Sequence, residues 1–150
     1  MIEIRCLTEE ETRAVGRRLA ATLRPGDVVV LAGGLGVGKT LFTSGIAAGL
    51  GVEEQLVSPS FVLVRQYRSG FLPLIHVDVY RLGSLNEFDD LEVFELGADG
   101  AVVIEWGDAL EGAIPEDHLR IDFVVEHDGT RVLRMVPGGV WAERDLGLVA

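Results

Sequence analysis

The sequence predicts an α/β fold: a single three-layer domain built on a mixed, mainly parallel sheet that carries antiparallel hairpins. Three observations lead there. The apolar run VVVLA (28–32) passes into a glycine-rich loop and then a helix-periodic segment, the order in which a buried parallel strand feeds a helix. A second run, AVVIEW (101–106), is apolar on both faces and reads as another buried strand. The segment HLRIDFVVEHDGTRVLRMV turns at Asp128-Gly129, the signal of a hairpin. With 150 residues, 48% of them hydrophobic, the chain has the length and apolar content to bury one domain's core.

The elements follow in order. Residues 2–7 read as a short strand, and Thr8 to Glu11 has the form of a capping box that opens a helix. Val15, Leu19 and Leu23 recur every four residues, so that helix is expected to run to about Leu23, where RPGD (24–27) ends it. From Lys39 to Leu50 a second helix carries Phe42, Ile46 and Leu50 on one side, with Gly51 as its C-terminal cap. FVLVRQY (61–67) and LPLIHVDVY (72–80) are extended runs joined at RSG as a hairpin. SLNE (84–87) is a further capping box, so residues 85–96 are expected to form one or two short helices. The tail from Gly138 to Ala150 holds Trp141 and Leu146, which either pack on the core or present a partner contact.

Charge and composition exclude several function classes. No apolar run approaches the roughly 18 residues of a membrane span, and the start MIEIRCLTEEE is acidic where a signal peptide is basic, so a cytoplasmic protein without membrane association is expected. One cysteine, Cys6, allows neither an internal disulfide nor a cysteine-cluster metal site; in an apolar strand it reads as a small packed hydrophobe. A net charge of -11 repels a phosphate backbone, which argues against direct nucleic-acid binding. Ser84 to Asp128 holds fourteen acidic residues and one arginine, Arg120, which reads either as a solvated face or as a docking surface for a basic partner.

Lys39 is the only lysine, and it lies in Gly33-x4-Gly38-Lys39-Thr40, the pattern of a phosphate-binding loop (P-loop) with its strand before and helix after. Each residue type has a physical reason. Glycines let successive amides turn inward, the helix N-terminus adds partial positive charge, and a long ammonium reaches the β and γ phosphates. Thr40 then offers its hydroxyl to Mg2+. In a shuffled chain of this composition the pattern arises in roughly one sequence per thousand. Twelve arginines serve everywhere else, but their planar fork does not fit a slot sized for one compact charge. The loop from Gly33 through Gly34, Leu35, Gly36, Val37 and Gly38 to Lys39, Thr40 and Leu41 is therefore the candidate nucleotide-binding segment.

Such a loop needs an acidic residue at the end of a nearby strand. Glu105 closes AVVIE and Asp78 closes LIHVD, and both remain candidates on the residues alone; burying either carboxylate is costly unless a cation or hydrogen bonds compensate. By strand alternation His76, Asp78 and Tyr80 share a face. VSPS (57–60) places Ser58 and Ser60 in a proline-stiffened loop, either a switch over the γ phosphate or an ordinary turn. An Asn-Lys-x-Asp guanine reader is impossible with one lysine already committed, which favours ATP. Arg65, Arg68 and Arg81 are possible phosphate contacts.

GGLGVGKTLF, SPSFVLVRQY, HVDVYRL and VVIEW, in this order and spacing, resemble the bacterial TsaE family, the ATPase of tRNA threonylcarbamoyladenosine biosynthesis. The resemblance covers Gly33 to Trp106 with specific motifs. It implies a P-loop NTPase fold, Mg-ATP as ligand, and association with TsaB and TsaD, where TsaD transfers the threonylcarbamoyl group and contact with tRNA is indirect, through the complex. It implies hydrolysis that supports repeated cycles of that modification, expected to be slow alone and raised by the partners. It also implies that Lys39 binds phosphates, that Thr40 and Glu105 hold the metal, and that Asp78 helps metal positioning or hydrolysis. Ser58 and Ser60 match the switch loop and Trp106 lies near the nucleotide. Leu41 stands where relatives often carry a second threonine, and Ser60 where a threonine is common. The alternatives are an ATP-gated adaptor that needs no turnover and a small-molecule kinase, for which no acceptor pocket is visible.

Overall fold

The structure is a computed structural model and describes residues 1–34, 36–56, 64–79, 88–89, 91–105 and 112–149. Seven strands form one mixed sheet. They are β1 (Ile2–Cys6), β2 (Asp27–Ala32), β3 (Val64–Tyr67), β4 (Leu74–Asp78), β5 (Ala101–Glu105), β6 (Leu119–Val125) and β7 (Arg131–Pro137), in the order β1-β7-β6-β2-β5-β4-β3. Parallel pairing is confined to the four central strands, β6, β2, β5 and β4, and antiparallel neighbours close both sides. The centre is where the apolar runs lie: every residue of β2, β4 and β5 is buried.

Two helices, α1 (Glu9–Ala20) and α2 (Lys39–Gly49), cover one face. Beneath them Val15, Leu19, Phe42, Ile46 and Leu50 pack with Leu31, Val103, Ile121 and Leu133. The helices approach closely because glycine allows it: a Cβ on Gly45 would stand 2.0 Å from the Arg13 carbonyl oxygen. On the other face Val28, Val30, Val77 and Ile104 meet Phe88 and Val93, the latter from the short α3 (Val93–Leu96).

Several sequence expectations change in detail. α1 stops at Ala20, and its exit tightens into i to i+3 bonds, Thr22 N–H to Leu19 O and Leu23 N–H to Ala20 O, ahead of Pro25; Leu23 is only partly buried. The Thr8 hydroxyl accepts from the Glu11 amide at 3.1 Å, but Glu11 reaches back to the Leu7 amide, one residue beyond a standard capping box. The β3–β4 hairpin is joined by six residues, 68–73, rather than by RSG alone, because the Phe71 N–H bonds to the Leu50 carbonyl at the end of α2 and holds the loop open. The β6–β7 hairpin turns where expected, with Gly129 at a φ of 88°.

The tail folds back onto the core. A 3-10 turn (Gly139–Glu143) buries Trp141 completely, and Leu146 and Val149 follow it inward. Arg144 lies 4.1 Å over the Trp141 ring and forms two bonds to Asp27, at 2.6 and 2.7 Å. Cys6 is buried, and burial pushes its thiol above the ordinary value, as expected of a packing residue. Part of the acidic segment is committed within the fold: Glu105 is buried, and Asp117, though exposed, accepts from the Val140 amide, while Asp89 and Glu92 are exposed.

Candidate functional site

The candidate site lies where β2, β4 and β5 end together on the α2 side of the sheet. Parallel register sets Leu31 beside Glu105 and Glu105 beside Asp78, so the two strand-end carboxylates proposed from the sequence are neighbours. The glycine loop leaves β2 at Gly33 and enters α2 at Lys39. Gly36 and Gly38 hold φ values of 73° and 106°, in the left-handed region, where a side chain would be strained. A Cβ on Gly38 would also meet Arg131 Nε at 3.0 Å, since the first residue of β7 packs behind the loop.

The two long helices begin differently. α1 opens with a Thr8 cap and three glutamates in its first turn, which satisfy its free amides and its positive end. α2 opens on Gly38 with no side-chain cap bond and no acidic residue in its first turn. Uncapped amides and an uncompensated helix N-terminus suit an anion. Lys39, 4% exposed, donates from Nζ to the Gly33 carbonyl at 2.7 Å, so its ammonium lies across the loop's mouth.

Thr40 connects the loop to the carboxylates. Its hydroxyl lies 3.1 Å from each oxygen of Glu105, which is 4% exposed. His76, fully buried, approaches the same group, with Nε2 2.5 Å from Oε2. Asp78 is buried on the same face. No arginine or lysine contacts Glu105 among the described residues. A hydroxyl and a carboxylate are hard oxygen donors, the type that suits Mg2+, which usually takes one or two protein carboxylates and completes its shell with phosphates and water. Among the described residues no group of three or more His, Cys, Asp or Glu is arranged to hold a metal by itself.

The structure therefore brings together Gly33, Gly34, Gly36, Val37, Gly38, Lys39, Thr40 and Leu41 with Asp78 and Glu105. Leu35, Ser58, Ser60, Tyr80, Arg81 and Trp106 lie outside the described residues. Of the other two arginines considered as phosphate contacts, Arg68 is exposed and pairs with Asp99, whereas Arg65 faces His76 across the β3–β4 ladder. The sequence reading placed His76 on the face of Asp78 but missed its contact with Glu105, which depends on β5 lying next to β4. Arg131 carried no sequence signal.

Compared with known proteins, the chain matches the family model "Threonylcarbamoyl adenosine biosynthesis protein TsaE" over residues 6–133. It is 42% identical to the tRNA threonylcarbamoyladenosine biosynthesis protein TsaE of Streptomyces coelicolor over 146 residues, 92% of this chain and 99% of that protein. The protein of the same name in Treponema pallidum is 41% identical over 131 residues, 85% of this chain and 96% of that one. Among solved structures, the crystal structure of Bacillus subtilis YdiB superimposes with a TM-score of 0.80 at 34% identity, covering 95% of this chain and 89% of that one.

Proposed function

This chain belongs to the TsaE family of threonylcarbamoyl adenosine biosynthesis proteins, and from that premise we propose that it is an Mg-ATP-dependent P-loop ATPase working with TsaB and TsaD. The observation that carries the proposal is the open start of α2, set against a buried Glu105 that no arginine or lysine touches among the described residues. The amides of the glycine loop and Lys39 bind and orient the phosphates, and Thr40 and Glu105 hold the metal. Bound Mg2+ supplies positive charge that offsets charge on the reacting phosphoryl oxygens. Asp78, one strand over from Glu105, would help position the metal or support hydrolysis. The protein works in the cytoplasm and meets tRNA only through its partners. No helix among the described residues is long and apolar enough to cross a membrane.

The test is steady-state ATP hydrolysis by the purified chain, alone and with its cognate TsaB–TsaD pair, with Lys39→Ala as the blank. A low rate that rises with the partners and vanishes in the blank is expected. Lys39→Ala removes a charge-assisted contact of about 1.5–3 kcal/mol, so ATP affinity falls about tenfold or more; retained affinity rejects the site. ATP binding without hydrolysis in either condition moves the reading to an ATP-gated adaptor, and so does Asp78→Ala that still supports tRNA modification. Asp89 and Glu92, which are exposed, and Asp90, which lies outside the described residues, extend the proposal to docking: reversing the charge of all three is expected to weaken the complex at low salt.

A further inference from the structure

His76 makes contacts that the nucleotide-binding reading leaves unused. It is fully buried, its Nε2 lies 2.5 Å from Glu105 Oε2, and its Nδ1 is buried without a hydrogen-bond partner. A histidine kept only for packing would have both nitrogens satisfied or would be replaced by an apolar side chain, since an orphaned buried nitrogen is costly. Arg65 is the residue opposite it in the antiparallel β3–β4 pair, so the two side chains share a face. Arg65 Nε is likewise buried and unpartnered.

We propose that His76 is a positioning residue for Glu105, donating from Nε2 to Oε2 and fixing the carboxylate where the divalent cation needs it; this rests on the Mg-ATP reading above. Glu105 has two holders in the structure, the Thr40 hydroxyl and the His76 ring. The hydroxyl is also the group the site offers to the metal, and a hydroxyl oxygen committed to a cation no longer rotates its proton freely between two carboxylate oxygens. His76 is then the fixed donor that remains. It stands on β4, the strand hydrogen-bonded to β5, so its grip does not depend on the glycine loop.

The experiment is a titration of the full chain with a fluorescent ATP analogue, once with Mg2+ and once with EDTA. Partners that orient a metal ligand commonly matter 10–100-fold, so His76→Leu is expected to lose about that much of the affinity that Mg2+ adds while EDTA affinity stays within about twofold. His76→Gln, whose terminal amide keeps a donor near the Nε2 position, restores most of it. A His76→Leu chain with an unchanged Mg2+ gain overturns the proposal, and so does an equal loss in both buffers, the mark of a merely structural role. Because loss of the ring can unfold the chain, the wild type is also followed by NMR. A hydrogen-bonded His76 Nε2 proton is expected, shifting when Mg2+ joins the nucleotide and not with nucleotide alone; a proton that ignores Mg2+ overturns the role. Wild-type protein that binds no ATP in either buffer overturns the Mg-ATP reading and this role with it.

Discussion

Two buried carboxylates stand at opposite ends of the central strands. Asp27 opens β2 and Glu105 closes β5, and they are 6% and 4% exposed, so burial alone does not tell them apart. Their partners do. Asp27 accepts two bonds from the Arg144 guanidinium and a third from the Arg24 amide at 2.7 Å, so its charge is neutralised inside the chain. Glu105 has a hydroxyl and an imidazole but, among the described residues, no arginine or lysine. One carboxylate ties the tail to the sheet. The other, with no arginine or lysine partner among the described residues, stands at the mouth of the glycine loop.

Breaking the closed pair should produce the larger loss of stability. Arg144→Met leaves Asp27 buried without its counter-charge and takes a cation from the face of Trp141, so a loss of about 3–5 kcal/mol is expected. That is a large share of the roughly 5–15 kcal/mol that holds a typical domain. Denaturant unfolding measures it, and a loss below about 1 kcal/mol would show that Asp27 is solvated well enough to stand alone. Adding Asp27→Asn to Arg144→Met removes the stranded charge while keeping an acceptor for Arg24. The double variant is expected to recover to within about 2 kcal/mol of the wild type, because neutral replacement of a whole buried pair is far milder than loss of one member. If it unfolds as easily as the single variant, the tail is held by shape and the ion pair contributes little.

The two ends also differ in how far the sequence revealed them. The glycine-loop end was legible as a strand, loop and helix because its signals are local: glycine spacing, an apolar strand before and a periodic helix after, and acidic residues directly at strand ends. The Asp27–Arg144 clamp joins positions 117 apart, and nothing in RPGD or in the tail announces the other. Trp141 and Leu146 were ambiguous for the same reason, since a hydrophobic residue in an irregular segment has no period to reveal its inner face. The His76–Glu105 contact falls between these cases. Strand alternation put His76 and Asp78 on one face, but only the order β2-β5-β4 brings Glu105 to them, and strand order is set by crossovers that a linear pattern does not encode. The end of α1 was missed by three residues because Leu23 keeps the four-residue spacing after the backbone has already tightened.

The sharpest test of the contrast is the smallest change, Glu105→Gln. It removes one charge and keeps the side chain's length and one carbonyl oxygen. His76 can donate to that oxygen, and the new amide N–H can turn to the Thr40 hydroxyl, so the local bonds have replacements. Desolvation of an ionised carboxylate costs energy, and among the described residues no arginine or lysine contacts Glu105 to offset it. The unfolding midpoint is therefore expected to move by no more than about 1 kcal/mol, and a rise is the natural direction, while the affinity that Mg2+ adds to ATP binding falls. A loss near the 3–5 kcal/mol expected for Arg144→Met would put Glu105 in the same class as Asp27, a carboxylate whose charge the fold itself needs. A stable protein with a diminished Mg2+ response would mean that the fold tolerates this charge without depending on it, which is the property that separates a ligand from a clamp.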